Sequence, residues 1–321
     1  MSKEVLSLVG LDRLMALTPG REDVVIALLD GPVATTHPSF ATSRICDIRG
    51  RSPSPCADSA SMTCRHGTFV AGILCAGRDS AAPGICPGCT LLVYPVFSER
   101  RSGEALPGAT PRELAQAIAE SLAAGARVVN VSGAIPSSAI TADRELHDAF
   151  VEAARRGALI IAASGNQASV GRSPITGHPW VLTVVPYGRD LRPLASANLG
   201  RSIGRNGIGS PGENITSVDP AGGTTAMTGS SVAAPFVAGA AALLWSLVPE
   251  AEAQEVRAAL AGDGRQRRTI TPPLLDALAA YRTLVGNYQR RNGHGESAKS
   301  GSGSGPVSTA ARVAPSWVPR R

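Results

Sequence analysis

Five short apolar runs alternate with helical stretches, and this alternation is what most constrains the fold. The runs are Val24–Leu29, Leu91–Val96, Arg127–Gly133, Ala158–Ala163 and Trp180–Val185. Each is continuous rather than alternating, as expected of parallel strands covered on both faces. Between and after them lie helical patterns near 65–74, 111–124, 141–156, 240–247, 250–261 and 273–284. Strand–helix alternation of this kind predicts an α/β fold, a central and mostly parallel sheet flanked by helices in three layers. With 321 residues, 43% of them apolar but only 4% aromatic, the core must be built mainly from Ala, Val, Leu and Ile.

In open α/β sheets the C-terminal strand ends carry chemistry. The first run ends on Asp30-Gly31-Pro32 and the fourth on Ser164-Gly165-Asn166. His66 opens the helix Arg65–Leu74 through a small-residue turn. The run Gly222–Gly239 leads into the apolar segment Ala240–Leu247, which reads as a buried helix with Pro235 tolerated in its first turn. A serine at such a helix start sits where free N–H groups and the helix dipole can steady developing negative charge. The same residues also fit an ordinary Ser/Thr cap of an alanine-rich core helix.

The net charge of +6 falls mostly on the last residues. Residues 286–321 hold six basic side chains against one acid, Glu296, in a Gly/Ser-rich sequence, so this segment (286–321) reads as a disordered basic tail and nucleic acid is not an expected partner. Residues 1–22 read as a short N-terminal helix, with Leu6, Leu8, Val9, Leu11 and Leu14 forming a stripe, and 23–285 as the main domain. Met1–Leu17 lacks a signal-peptide pattern, and no segment reaches the roughly 18 apolar residues of a membrane helix. Together these suggest a cytoplasmic protein without a membrane partner. All six cysteines (Cys46, Cys56, Cys64, Cys75, Cys86, Cys89) lie in one region, which leaves structural disulfides and free thiols both open.

Asp30 in Leu-Leu-Asp-Gly-Pro, His66 in Arg-His-Gly-Thr-Phe-Val-Ala-Gly, Asn166 in Ala-Ala-Ser-Gly-Asn and Ser231 in Gly-Ser-Ser-Val-Ala-Ala-Pro resemble, in that order, the motifs of the subtilisin-like serine proteases. The resemblance spans about residues 23–284. It implies a triad of Asp30, His66 and Ser231, with Asn166 as an oxyanion donor, an acyl-enzyme mechanism and no cofactor. It places the nucleophile at Ser231 rather than Ser230, because the family pattern has Ala two and Pro four residues later, here Ala233 and Pro235. It further implies that Ser132, Gly133 and Ala134 face Ser164 and Gly165 across the pocket for the residue before the cut.

Two departures from the family pattern bear on function. Cys75–Ala82, where many relatives bind calcium, offers Asp79 beside the cation Arg78, so no metal is expected there. Little chain precedes Asp30, which suits the branch that works inside cells. Within it, Asp30-Gly31-Pro32-Val33, His37-Pro38, the Cys-rich loop and Tyr94-Pro95-Val96-Phe97 resemble the proteases that mature ribosomally made peptides, the cyanobactin-processing type. The expected substrate is a precursor peptide. General degradation of cytoplasmic proteins, macrocyclising transpeptidation and an inactive peptide-binding role are the alternatives, and the oligomeric state is left open.

Overall fold

The computed structural model describes residues 1–48, 50, 56–97, 109–132, 144–262 and 267–297. Met1–Val285 forms one compact unit, and the residues from Gly286 on form a second. The elements in chain order are α1 (Lys3–Leu8), α2 (Leu11–Leu17), β1 (Val25–Asp30), β2 (Arg44–Asp47), α3 (Met62–Cys75), β3 (Thr90–Pro95), α4 (Pro111–Ala123), β4 (Val128–Val131), α5 (Arg144–Arg155), β5 (Leu159–Ala163), β6 (Val181–Tyr187), α6 (Arg201–Asn206), β7 (Ile208–Pro211), β8 (Ile215–Val218), β9 (Thr224–Met227), α7 (Ser230–Leu247), α8 (Ala253–Ala261) and α9 (Ala277–Ser297).

Seven strands form one sheet in the order β2-β3-β1-β4-β5-β6-β7, and every neighbouring pair is parallel. Side chains alternate between its two faces. Ala27, Leu29, Val129, Val131, Ile160 and Ala162 point to one side, where they pack with Leu114 and Ile118 of α4 and Leu146 and Phe150 of α5. The intervening residues face the other layer, where α7 crosses β1, β4, β5, β6 and β7 and packs against α3. Both faces are therefore covered, which is why the strands read as unbroken apolar runs. The start of α4 follows its sequence signature. Thr110 caps it by accepting from the Glu113 N–H at 3.2 Å, Glu113 accepts from the Thr110 N–H at 2.8 Å, and Pro111 takes the first helical position.

The structure adds β7, α6 and the β8–β9 ribbon, none of them expected from sequence, and starts α3 at Met62 rather than at His66. It departs from the sequence reading in five further places. The N-terminal helix is two helices, broken at Val9-Gly10, where Gly10 has φ of 66°. The Ser/Pro/Cys-rich stretch read as a loop contains the short edge strand β2. Contrary to expectation, α7 does have the length and apolar composition of a membrane-crossing helix, but 89% of it is buried against the sheet and α3. Pro235 lies in the second turn of α7, not the first, so the Ser231 carbonyl loses its i+4 donor. The last helix continues to Ser297, so Gly286–Ser297, assigned from composition to the disordered tail, is helical.

Candidate active site

β1 lies at the point where the sheet changes direction, with β3 on one side and β4 on the other. A crevice opens at the C-terminal ends of strands at such a point. Asp30 is the last residue of β1 and is fully buried. Its neighbour Gly31 and Gly67 of α3 let the helix start close on the strand end. A Cβ on Gly31 would run into the Thr63 carbonyl, and one on Gly67 into the carbonyls of Gly31 and Pro32. Ser61 caps α3 by accepting from the Cys64 N–H at 3.2 Å, and His66 follows as the fifth helical residue.

This approach sets a line of three side chains. His66 Nδ1 donates to Asp30 Oδ1 at 2.7 Å, and Ser231 Oγ donates to His66 Nε2 at 2.8 Å. Asp30 Oδ1 also accepts from the Gly31 N–H at 2.6 Å, a second bond that holds the carboxylate in place. Burial pulls the His66 pKa down, but the charge of Asp30 and the hydrogen bond to it pull harder, and the net direction is above the ordinary 6.5. With Nδ1–H held by the carboxylate, Nε2 presents its lone pair to the hydroxyl. The arrangement can take a proton from Ser231 as its oxygen attacks an electrophilic carbon.

Ser230 and Ser231 open α7, so the Ser231 N–H lies in the first turn, where no intrahelical acceptor exists. Ser230 has a different job. Its Oγ is buried and accepts from the Gly165 N–H at 3.0 Å, while its own N–H donates to Asn166 Oδ1 at 2.9 Å. The Asn166 oxygen is thereby held against the helix start, which leaves its Nδ2 as a donor on the exposed side. Asn166 Nδ2 and the Ser231 N–H together can support an oxyanion formed at Ser231.

A family profile described as Subtilase family matches residues 21–264. The chain belongs to the subtilase family. Subtilisin DY from Bacillus licheniformis is 28% identical over 197 residues, covering 60% of this chain and 67% of the relative. Against two further subtilisins the aligned part is 58% of their length. Among solved structures, the prenylagaramide maturation protease PagA superposes with a TM-score of 0.75 at 30% identity, covering 86% of this chain and 99% of the other. The PatG macrocyclase domain gives 0.72 at 22% identity, covering 86% and 96%, a likeness of fold alone.

The other expected site residues of this subtilase divide. Ser132 is buried at the end of β4 and accepts from Asn130 Nδ2 at 2.6 Å, and Ser164 and Gly165 are buried just past the end of β5, the second strand over from β1. Gly133 and Ala134 lie outside the described residues. In the Cys75–Ala82 segment, Arg78 turns its guanidinium onto backbone oxygens. Nη1 donates to Met15 O at 3.1 Å, and Nη2 to Ile85 O at 2.7 Å and Thr18 O at 3.3 Å. Burial lowers its pKa, with the Cys86 sulfur pushing the other way. Cys56 and Cys64 form a disulfide at the start of α3, whereas Cys46, Cys75, Cys86 and Cys89 are thiols.

Two of the partners hidden from the sequence lie beside the nucleophile and the base. Ser230 appeared in the sequence reading as the wrong candidate nucleophile, although it holds both Gly165 and Asn166. Arg65, beside His66, pairs with Asp219 of the β8–β9 turn at 3.4 Å. Neither follows from local pattern, because the partners are 65 and 154 residues apart.

Proposed function

We propose that this subtilase is a serine endopeptidase that cuts a precursor peptide, with Ser231 as nucleophile, His66 as general base, Asp30 as the group that orients it, and Asn166 with the Ser231 N–H as oxyanion donors. The observation that carries this is the unbroken line Asp30–His66–Ser231, at 2.7 and 2.8 Å, ending at the start of a buried helix. Ser231 attacks the peptide carbonyl, His66 carries its proton to the leaving amine, and water resolves the acyl-enzyme. Likeness to a maturation protease at 30% identity supports a precursor peptide over bulk cytoplasmic protein as substrate. We infer that Ser132, Ser164 and Gly165 belong to the pocket for the residue before the cut, a reading supported by their burial at the C-terminal ends of β4 and β5.

Hydrolysis is favoured over transfer to an amine because the connection from α3 to β3, Ala76–Cys89, adds no helix that would shield the acyl-enzyme beside His66. Our reading of the compartment is the cytoplasm, supported by four thiols, three of them buried, against one short-range disulfide. A fluorophosphonate probe tests the site: it should label wild type at Ser231 and spare Ser231→Ala. Labelling of any other residue rejects the assignment. Incubation with a synthetic precursor peptide, read by mass spectrometry, should give two linear fragments, and a cyclic product would favour transpeptidation.

A further inference from the structure

Asn166 stands exposed on the loop after β5, yet the donor it supplies must be held to within a fraction of an ångström to act on a transition state. On its own the loop has no reason to stay in place. Ala168, two residues on, has φ of 51°, a left-handed conformation that a residue with a Cβ takes at a cost of order 1 kcal/mol. Something outside the loop has to hold it.

Asn198, in the connection between β6 and α6, does so from both sides. Its Oδ1 accepts from the Gln167 N–H at 2.9 Å and from the Ser169 N–H at 3.2 Å, so one oxygen brackets Ala168. Its Nδ2 donates to Gln167 Oε1 at 2.6 Å, and its backbone N–H donates to Gly165 O at 3.1 Å. The residues before and after Asn166 are thus both bonded to Asn198. Neighbouring backbone bonds, Ala168 N to Ser196 O at 2.8 Å and Leu199 N to Ser169 O at 2.9 Å, bring the two segments alongside but grip neither flank of Asn166. Gly165 permits the approach, since a Cβ there would overlap Asn198 Nδ2.

We propose that Asn198 is a positioning residue for the oxyanion: it never touches substrate, and it acts by fixing the backbone from which Asn166 projects. Ser230 holds the Asn166 amide oxygen and the Gly165 N–H, and Asn198 holds the main chain on both sides of Asn166, at Gly165 O and at the Gln167 N–H. The inference rests on the peptidase reading of Ser231 and adds a residue to it. Asn198 should therefore matter to turnover and little to substrate binding, and its effect should pass through Asn166.

The test is a double-mutant cycle on the full chain with a cleavable peptide. Asn198→Ala should lower kcat by about 10–100-fold and change KM by less than about threefold, a share of the roughly 10²–10³ expected for Asn166→Ala. In the Asn166→Ala background the same change should lower kcat by less than about threefold more. Equal losses in both backgrounds, or a loss carried by KM, overturn the proposal. Hydrogen exchange supplies a readout independent of cleavage: protection of the Gln167 and Ser169 amides should be lost in Asn198→Ala and kept in Asn166→Ala. Unchanged protection in Asn198→Ala also overturns it. Failure of wild type to cleave or to label at Ser231 would instead count against the peptidase reading, and the exchange experiment would still decide whether Asn198 holds this loop.

Discussion

Ser230 and Ser231 are adjacent on α7 yet face different partners: Ser230 Oγ meets the Gly165 N–H at 3.0 Å, and Ser231 Oγ meets His66 Nε2 at 2.8 Å. Their substitutions should therefore fail in different ways. Ser231→Ala should remove peptidase activity and leave the melting temperature close to wild type. Ser230→Ala should retain activity within about tenfold but leave the Gly165 N–H unsatisfied, a loss of about 1–3 kcal/mol. At about 2–4 °C per kcal/mol for a domain of this order, its melting temperature should fall by several degrees. Loss of activity in Ser230→Ala alone would show that the nucleophile is wrongly placed.

The pKa of His66 is raised, and catalysis needs the neutral imidazole. We expect kcat/KM to climb with pH, with its midpoint above about 6.5. Asp30→Asn should move that midpoint down and lower kcat by on the order of 10⁴. Stability should run the opposite way. A histidine whose pKa is higher folded than unfolded stabilises the protein fully below its unfolded value, and that contribution is lost as pH rises through the folded value. Melting temperatures of wild type relative to Asp30→Asn should therefore decline over the same pH window in which activity appears. A midpoint below about 6.5 in wild type would contradict the arrangement of charges described here.

Arg78 places a guanidinium on Met15 O, Thr18 O and Ile85 O, joining the end of α2 to the loop after α3. Excess EDTA should shift the melting temperature by less than about 5 °C, because more than that would signal over about 1 kcal/mol of metal-linked stability. Arg78→Ala should cost more than EDTA does, about 1.5–3 kcal/mol, since carbonyl oxygens lose charged donors. A chelator effect larger than the substitution would show that a metal, not Arg78, holds this seam.

The Cys56–Cys64 bond closes a loop of sequence separation 8, and Cys64 lies two residues before His66 in α3. By loop entropy such a bridge contributes about 2–3 kcal/mol. The double variant Cys56→Ser, Cys64→Ser should melt roughly 5–10 °C below wild type. Reductant should lower the wild type to a similar point and leave the variant unmoved. A variant that melts with wild type would mean that α3 is held without the bridge.

How much of this was legible in sequence depended on how local the cause was. The buried strands β1, β3, β4, β5 and β6 announced themselves, because a strand covered on both faces must be apolar throughout. β2 did not: Arg44-Ile45-Cys46-Asp47 is short, polar at both ends and paired on one edge only. β8 and β9 carry mixed polar residues on a two-stranded ribbon, and α6 spans six residues, so neither shows a period. In α9, Gly286, Asn287, Asn292, Gly293 and Gly295 are weak helix formers, and they hid the helix beyond Val285. Asp30, Asn166 and Ser231 were legible through short motifs at element ends, and His66 through one that begins in the second turn of α3. Asn198 and the Ser230 contacts were not, since their meaning lies in bonds to segments 31 and 65 residues away.

Asp30 ends a strand bonded along both edges, and His66 lies in a helix buried from its second residue almost without break, whereas Asn166 is exposed on a loop held by side-chain bonds from a half-buried asparagine. Proteins open locally before they unfold, and such loops open first. On warming, the population should pass through molecules whose nucleophile and base are still aligned while the tetrahedral intermediate has lost its side-chain donor. Turnover would then decay at temperatures where the backbone still reports a folded protein, and it would return on cooling.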